Sequence, residues 1–171
     1  MATFMLRATE NPNAEGLFYQ QLFPMGAVQH CNYIQGLLKA VEDTPVDPNA
    51  PPEVIEVPHA DEQTIKFICG FLEAHQNDEP IKEGWEKEKP RELTAQDKAE
   101  FTPIVGMALV GLLKATNFLG CQMALNATAT YVGQIIVTKN EQEVQDYFGV
   151  YREFTKEEEE QVKAKYPVPF Y

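Results

Sequence analysis

The stretch from Phe101 to Val137, FTPIVGMALVGLLKATNFLGCQMALNATATYVGQIIV, is the densest apolar run in the chain and limits most sharply what can be built around it. Ile104, Ala108, Leu112, Ala115 and Leu119 make one stripe at helical spacing. Val105, Leu109 and Leu113 make a second beside it, with Met107 and Val110 flanking. A helix that packs only on its own core needs an apolar stripe of roughly 100°. This one is wider, so it is either central to its domain or buried against a second body. Cys121, Ala124, Leu125, Val132, Ile135 and Ile136 repeat the pattern in a following helix. Periodicity alone leaves two readings open: a pair of core helices, or a surface that waits for a partner.

At 171 residues the chain is long enough for one domain with extensions. A net charge of −12 argues against binding a phosphate backbone or an anionic membrane, since both need clustered Lys and Arg. Cys31, Cys69 and Cys121 lack CxxC spacing and sit in apolar company, so they read as reduced core thiols of a cytoplasmic or nuclear protein. The opening MATFMLRATENP is not expected to be a secretion signal, and no run approaches the roughly 20 apolar residues of a membrane span. The Asn126-Ala127-Thr128 sequon falls inside an expected helix and is set aside.

In chain order, Phe4, Leu6 and Ala8 alternate with Met5 and Arg7 as a half-buried strand does, and Leu17–Gln20 reads as a second strand after the turn at Asn11–Gly16. Pro24 suits the first position of a helix with Cys31, Ile34, Leu37, Leu38 and Val41 on one face. Glu42–Glu53, with Pro45, Pro48, Pro51 and Pro52, is a surface loop. Val54–Val57 is a short strand stopped by Pro58. Asp61 then caps a helix carrying Ile65, Ile68, Cys69 and Leu72 on one side and Phe67 and Phe71 on another. More than half of residues 77–100 are charged, and with Pro80 and Pro90 the segment reads as a mobile linker in which Trp85 is unexplained. Asn140–Glu143 and Thr155–Glu158 are capping boxes, and Gly149 is a stop. The last helix buries almost nothing besides Val162 and Ala164, and alone it is marginal. Tyr166–Tyr171 forms a tail. The divisions are thus 1–76, 77–100, 101–137 and 138–171.

His30, His59 and His75 have no partner at ligand spacing, no nucleotide-binding or nucleophile motif occurs, and neither Cys31 nor Cys121 sits in a motif that marks an activating base. The expectation is a chain without cofactor, metal or catalytic residues of its own, acting through surfaces.

From Glu100 to Lys165 the sequence can be laid without a gap on the C-terminal half of the Skp-type adaptors of SCF (Skp–cullin–F-box) ubiquitin ligases. It resembles them most specifically in ATNFL and FTKEEEEQV, and in TKNEQEVQDYFGV beside the family's TPEEIRKTFNI. The front half, VIEVPHADEQTIKFICGFLEAHQNDEP and FMLRATENP, is similar more loosely. The resemblance implies an α/β fold (α+β in arrangement, mostly helical), with a BTB/POZ-type core and C-terminal helices that complete themselves around an F-box. It puts the F-box side on Leu109, Val110, Leu113, Leu125, Val132, Val144, Phe148 and Val150. The cullin side falls on Asn117 and Phe118, together with the helix end at 31–43. The implied function is a non-catalytic adaptor bridging an F-box protein and a cullin. The alternative is a structural or assembly protein of the same fold, self-associating, that has lost cullin binding. Departures from the family pattern are Val110 for Phe, Gly111 for an acidic residue, Lys114 for an apolar one, Phe118 for Tyr and Glu141 for Pro, and the closing Trp is missing.

Overall fold

The computed structural model describes residues 3–41, 50–81, 92–151 and 155–165. Strands β1 (Phe4–Ala8), β2 (Gln20–Leu22) and β3 (Glu53–Val57) form a small sheet in the order β2-β1-β3. β1 pairs antiparallel with β2, setting Met5 opposite Leu22, and parallel with β3, setting Leu6 opposite Ile55. The alternation read in β1 is a burial alternation: Phe4, Leu6 and Ala8 lie under the sheet while Met5 and Arg7 face outward, Arg7 pairing with Glu56.

The second strand begins later than the sequence suggests. Asn13 Oδ1 accepts from the backbone N–H groups of Glu15 and Leu17, and Asn13 N–H donates to the Leu17 carbonyl. With Asn11 and Gly16 at positive φ, the turn holds the chain as far as Leu17. The apolar pair Leu17 and Phe18 is spent on this exposed turn, and β2 is Gln20–Leu22 instead.

The helix expected after Pro24 comes in two pieces. A 3₁₀ helix spans Met25–His30, the backbone extends at Cys31, and α1 runs Asn32–Ala40. Gln35 Nε2 reaches back to the carbonyls of Val28 (3.2 Å) and Gln29 (3.0 Å), tying α1 to the end of the 3₁₀ helix across the break. The proline-rich loop lies mostly outside the described residues, as do Trp85 and the tail.

Helix α2 (Glu62–Ala74) is the centre of the packing. Asp61 caps it by accepting from Thr64 N–H at 2.8 Å. Ile65, Ile68, Cys69 and Leu72 are buried, and so are Phe67 and Phe71, because the helix packs on the sheet and also on α3, α4 and α5. α3 (Ala95–Phe101) takes the last residues of the 77–100 segment out of the linker expected there. Thr94 and Asp97 close a capping box, Leu93 and Phe101 are buried, and Phe101 stands between Phe67 and Tyr131 with ring centroids at 4.6 Å from each. Asp97 is itself buried and takes His75 Nε2 at 3.0 Å, while His75 Nδ1 faces Asp78 at 2.8 Å. Charge along this stretch is therefore partly structural.

α4 (Met107–Phe118) and α5 (Gln122–Val137) follow as a packed pair, then α6 (Glu141–Phe148) and α7 (Lys156–Lys165). The class expected from the sequence, mixed α/β and mostly helical, is the class observed.

Candidate partner-binding surface

The C-terminal helices lose their core step by step. In α4, Leu109, Leu112, Ala115 and Thr116 are buried against α2 and α5. The other side of α4 is open: Val105, just before it, and Met107 are exposed, and Val110 and Leu113 are half-buried. In α5 the buried residues, Met123, Ala124, Asn126, Ala127 and Thr128, all belong to the first half. Val132 and Ile135 are only partly covered, Ile136 is exposed and Val137 is 86% exposed.

α6 has no buried residue. Its capping box is complete, with Asn140 N–H on Glu143 Oε2 at 2.8 Å and Glu143 N–H on Asn140 Oδ1 at 3.0 Å, and Gly149 ends it at φ 67°. Tyr147 anchors it: the ring packs on the core, and a Cβ at Gly106 would lie 2.7 Å from the Tyr147 carbonyl oxygen. Gly106, at φ 55°, lets the start of α4 approach the end of α6 at a distance no side chain permits. Beyond the anchor, Val150 is exposed and Tyr151 is 74% exposed.

α7 also buries nothing. Thr155 and Glu158 close their box at 2.9 and 3.3 Å, Glu157–Glu159 favour the positive helix start, and Lys163 pairs with Glu159 at 3.4 Å. These local terms hold ten residues together only weakly without a packed face.

The predicted residues divide accordingly. Val110, Leu113, Leu125, Val132, Val144 and Phe148 are half-buried and Val150 is exposed, so all seven reach the surface. Leu109 does not. It is 0% exposed and belongs to the core, a correction to its place on the partner face. The F-box side expected from the sequence did not include Ile136, Val137 and Tyr151, exposed apolar residues on the same helices and their ends. Their signal was an apolar stripe running past the end of α5's packing.

At the opposite end of α4, Asn117 and Phe118 are exposed. The Phe118 ring packs at a tilt on Tyr33 of α1, with centroids 5.1 Å apart, and Tyr33 N–H donates to the Leu119 carbonyl. The helix end expected on the cullin side is thus brought to Phe118 through Tyr33, a residue that reading did not name.

Gly111 has a packing reason. A Cβ there would lie 2.9 Å from the His59 carbonyl oxygen, in the turn between β3 and α2, so the acidic side chain of the family pattern has no room. Among the described residues, no group of three or more His, Cys, Asp or Glu is arranged to hold a metal, and no helix is long and apolar enough to cross a membrane.

Residues 123–168, from α5 through α7, match the Skp1 family, dimerisation domain. Similar proteins include the E3 ubiquitin ligase complex SCF subunit sconC of Talaromyces stipitatus, 26% identical over 66% of this chain and 71% of its own. The S-phase kinase-associated protein 1 homolog of Tetrahymena thermophila is 28% identical over 73% of this chain and 74% of its own. The Skp1-related protein of Caenorhabditis elegans is 28% identical over 84% and 82%. The helices whose core runs out are thus the part of the chain that matches the Skp1 family, and the chain as a whole is similar to Skp1-type SCF subunits.

Proposed function

We propose that this protein is a non-catalytic adaptor of a cullin–RING E3 ubiquitin ligase, joining an F-box substrate receptor to a cullin. The observation that carries the proposal is the coincidence of the Skp1-family match with the helices that have apolar residues but no core of their own. The half of α5 beyond Tyr131, with α6 and α7, offers Val132, Val144, Phe148 and Val150 to an apolar helical partner such as an F-box. Desolvating such a cluster supplies most of an interface's affinity. Asn117, Phe118 and Tyr33 make a separate polar and aromatic patch for the cullin.

The two surfaces sit towards the two ends of α4. α6 docks at Gly106, and the Tyr33–Phe118 pair closes the other end. Twelve helical residues span about 18 Å, enough for both partners to bind without touching. The adaptor's mechanism is then geometric: it holds the substrate receptor at a fixed distance from the cullin-borne catalytic module. The proposal carries a cytoplasmic and nuclear location.

A second reading is self-assembly, favoured by the description of the matched domain as a dimerisation domain. A second copy would cover the same apolar helices and compete with an F-box. Gel filtration with light scattering decides between them when the chain is mixed with an F-box fragment and a cullin N-terminal domain. The adaptor reading predicts a ternary peak of one copy each, whereas a homo-oligomer that takes up neither partner would overturn it.

A further inference from the structure

Two buried cysteines lie in contact at the junction of four elements. Cys31 separates the 3₁₀ helix from α1, Cys121 separates α4 from α5, and both are fully buried. Their sulfurs are 2.9 Å apart, about 0.9 Å beyond a disulfide bond length. Backbone bonds clasp the junction on both sides: Asn32 N–H to the Gly120 carbonyl, and Tyr33 N–H to the Leu119 carbonyl. The sulfurs therefore approach each other without the backbone having to move far.

A second feature converges on the same junction. A cavity of about 10 Å³ lies beside the pair, lined by the neighbours His30, Asn32, Gly120 and Gln122 together with Ile81 and Met123, and not by either cysteine. Of these residues, His30 Nδ1 and Gln122 Oε1 are buried without a hydrogen-bond partner. A space of this size holds about one water, and two unsatisfied polar atoms favour a small polar guest.

We propose that Cys31 and Cys121 are a peroxide-sensitive dithiol that closes to an intramolecular disulfide. This inference goes beyond the adaptor reading and does not depend on it. The hydrogen bonds give the two sulfurs different roles. Cys121 Sγ–H donates to Cys31 Sγ, leaving Cys121 the donor of the pair, while Cys31 Sγ–H donates to the Leu119 carbonyl. Cys31, as thiolate, attacks one oxygen of hydrogen peroxide and breaks the O–O bond. It becomes a sulfenic acid, and the leaving hydroxide takes a proton to form water. Cys121 sulfur then displaces the sulfenic oxygen, its proton leaving with that oxygen as a second water, and the S–S bond forms. In sum, two thiols are oxidised by two electrons and one peroxide is reduced to two waters.

The hydrogen bond to Cys31 and burial both hold the Cys121 thiol well above its ordinary range, and burial pushes Cys69 up to about 12. Closure by Cys121 is accordingly slow at neutral pH and quickens as pH rises. Cys69, also buried, is the internal control.

The test is to treat the full-length protein with hydrogen peroxide, quench it with acid, block the remaining thiols and map its peptides without reduction. The expected result is one Cys31–Cys121 cross-linked peptide, loss of two thiols per chain, and reversal by dithiothreitol. The same product is expected in Cys69→Ala and is absent from Cys31→Ala. Closing so long a loop also raises the unfolding midpoint of the oxidised protein by roughly 5–15 °C. Three titratable thiols after treatment, a disulfide that includes Cys69, a disulfide between chains, or Cys31 carried to sulfinic acid alone would each overturn the proposal. Should Cys31→Ala fail to fold, the wild-type and Cys69→Ala maps still decide it.

Discussion

Asp97 is a charged residue in a charged stretch, and its position is set by packing. Burial raises its carboxyl group's proton affinity, but the Thr94 backbone N–H, His75 and the Thr94 hydroxyl outweigh that and hold it below the usual carboxylate range. A carboxyl depressed in the folded state stabilises the fold above its unfolded value of about 3.9 and loses that contribution as pH falls through the folded value. Asp97→Asn is expected to cost about 1–3 kcal/mol at pH 7 and to flatten the stability profile below about pH 4, read from urea unfolding at several pH values. The sequence hid this residue because Thr94–Asp97 has aspartate where a capping box usually has Glu or Gln, and because its partner His75 lies 22 positions away. Asp61, Asn140 and Thr155 were legible for the opposite reason: their bonds close within three residues. Gly106 is a second residue whose role needs three dimensions. Gly106→Ala is expected to destabilise by about 1–3 kcal/mol, through its positive φ and the contact with Tyr147, and to loosen α6 first. Hydrogen exchange in α6 measures this directly.

Element by element, the helices were found where apolar spacing repeats, and the errors lie where one element has several neighbours. The double stripe of α4 was read as one face for the core and one for a partner. Because α2 and α5 both pack on α4, part of the second stripe is also core, and Leu109 goes with it. Val110 and Leu113 stay at the margin, which periodicity could not separate from Leu109. The second strand was misplaced because an asparagine turn overrode the apolar pair Leu17–Phe18. α7 was read correctly as a helix without a face, since its sequence offers little else. Its backbone amides are expected to exchange with little protection in the free chain, and to slow by at least tenfold when an F-box fragment binds. Exchange that stays fast in the complex would remove α7 from the interface.

At the scale of the whole molecule, the fold keeps two jobs apart. The sheet, α2, α3 and the buried sides of α4 and α5 hold the core, and apolar residues without cover gather on the C-terminal helices. Val150→Asp changes an exposed position, so it is expected to leave the unfolding free energy within about 0.5 kcal/mol of wild type. Paired calorimetric titrations of wild type, Val150→Asp and Asn117→Ala with an F-box fragment and with a cullin N-terminal domain test the bridging claim most directly. Val150→Asp is expected to weaken F-box binding roughly tenfold or more and leave cullin binding unchanged, and Asn117→Ala to do the reverse. Equal loss of both partners in either variant, or no binding of either partner by the wild type, would contradict it.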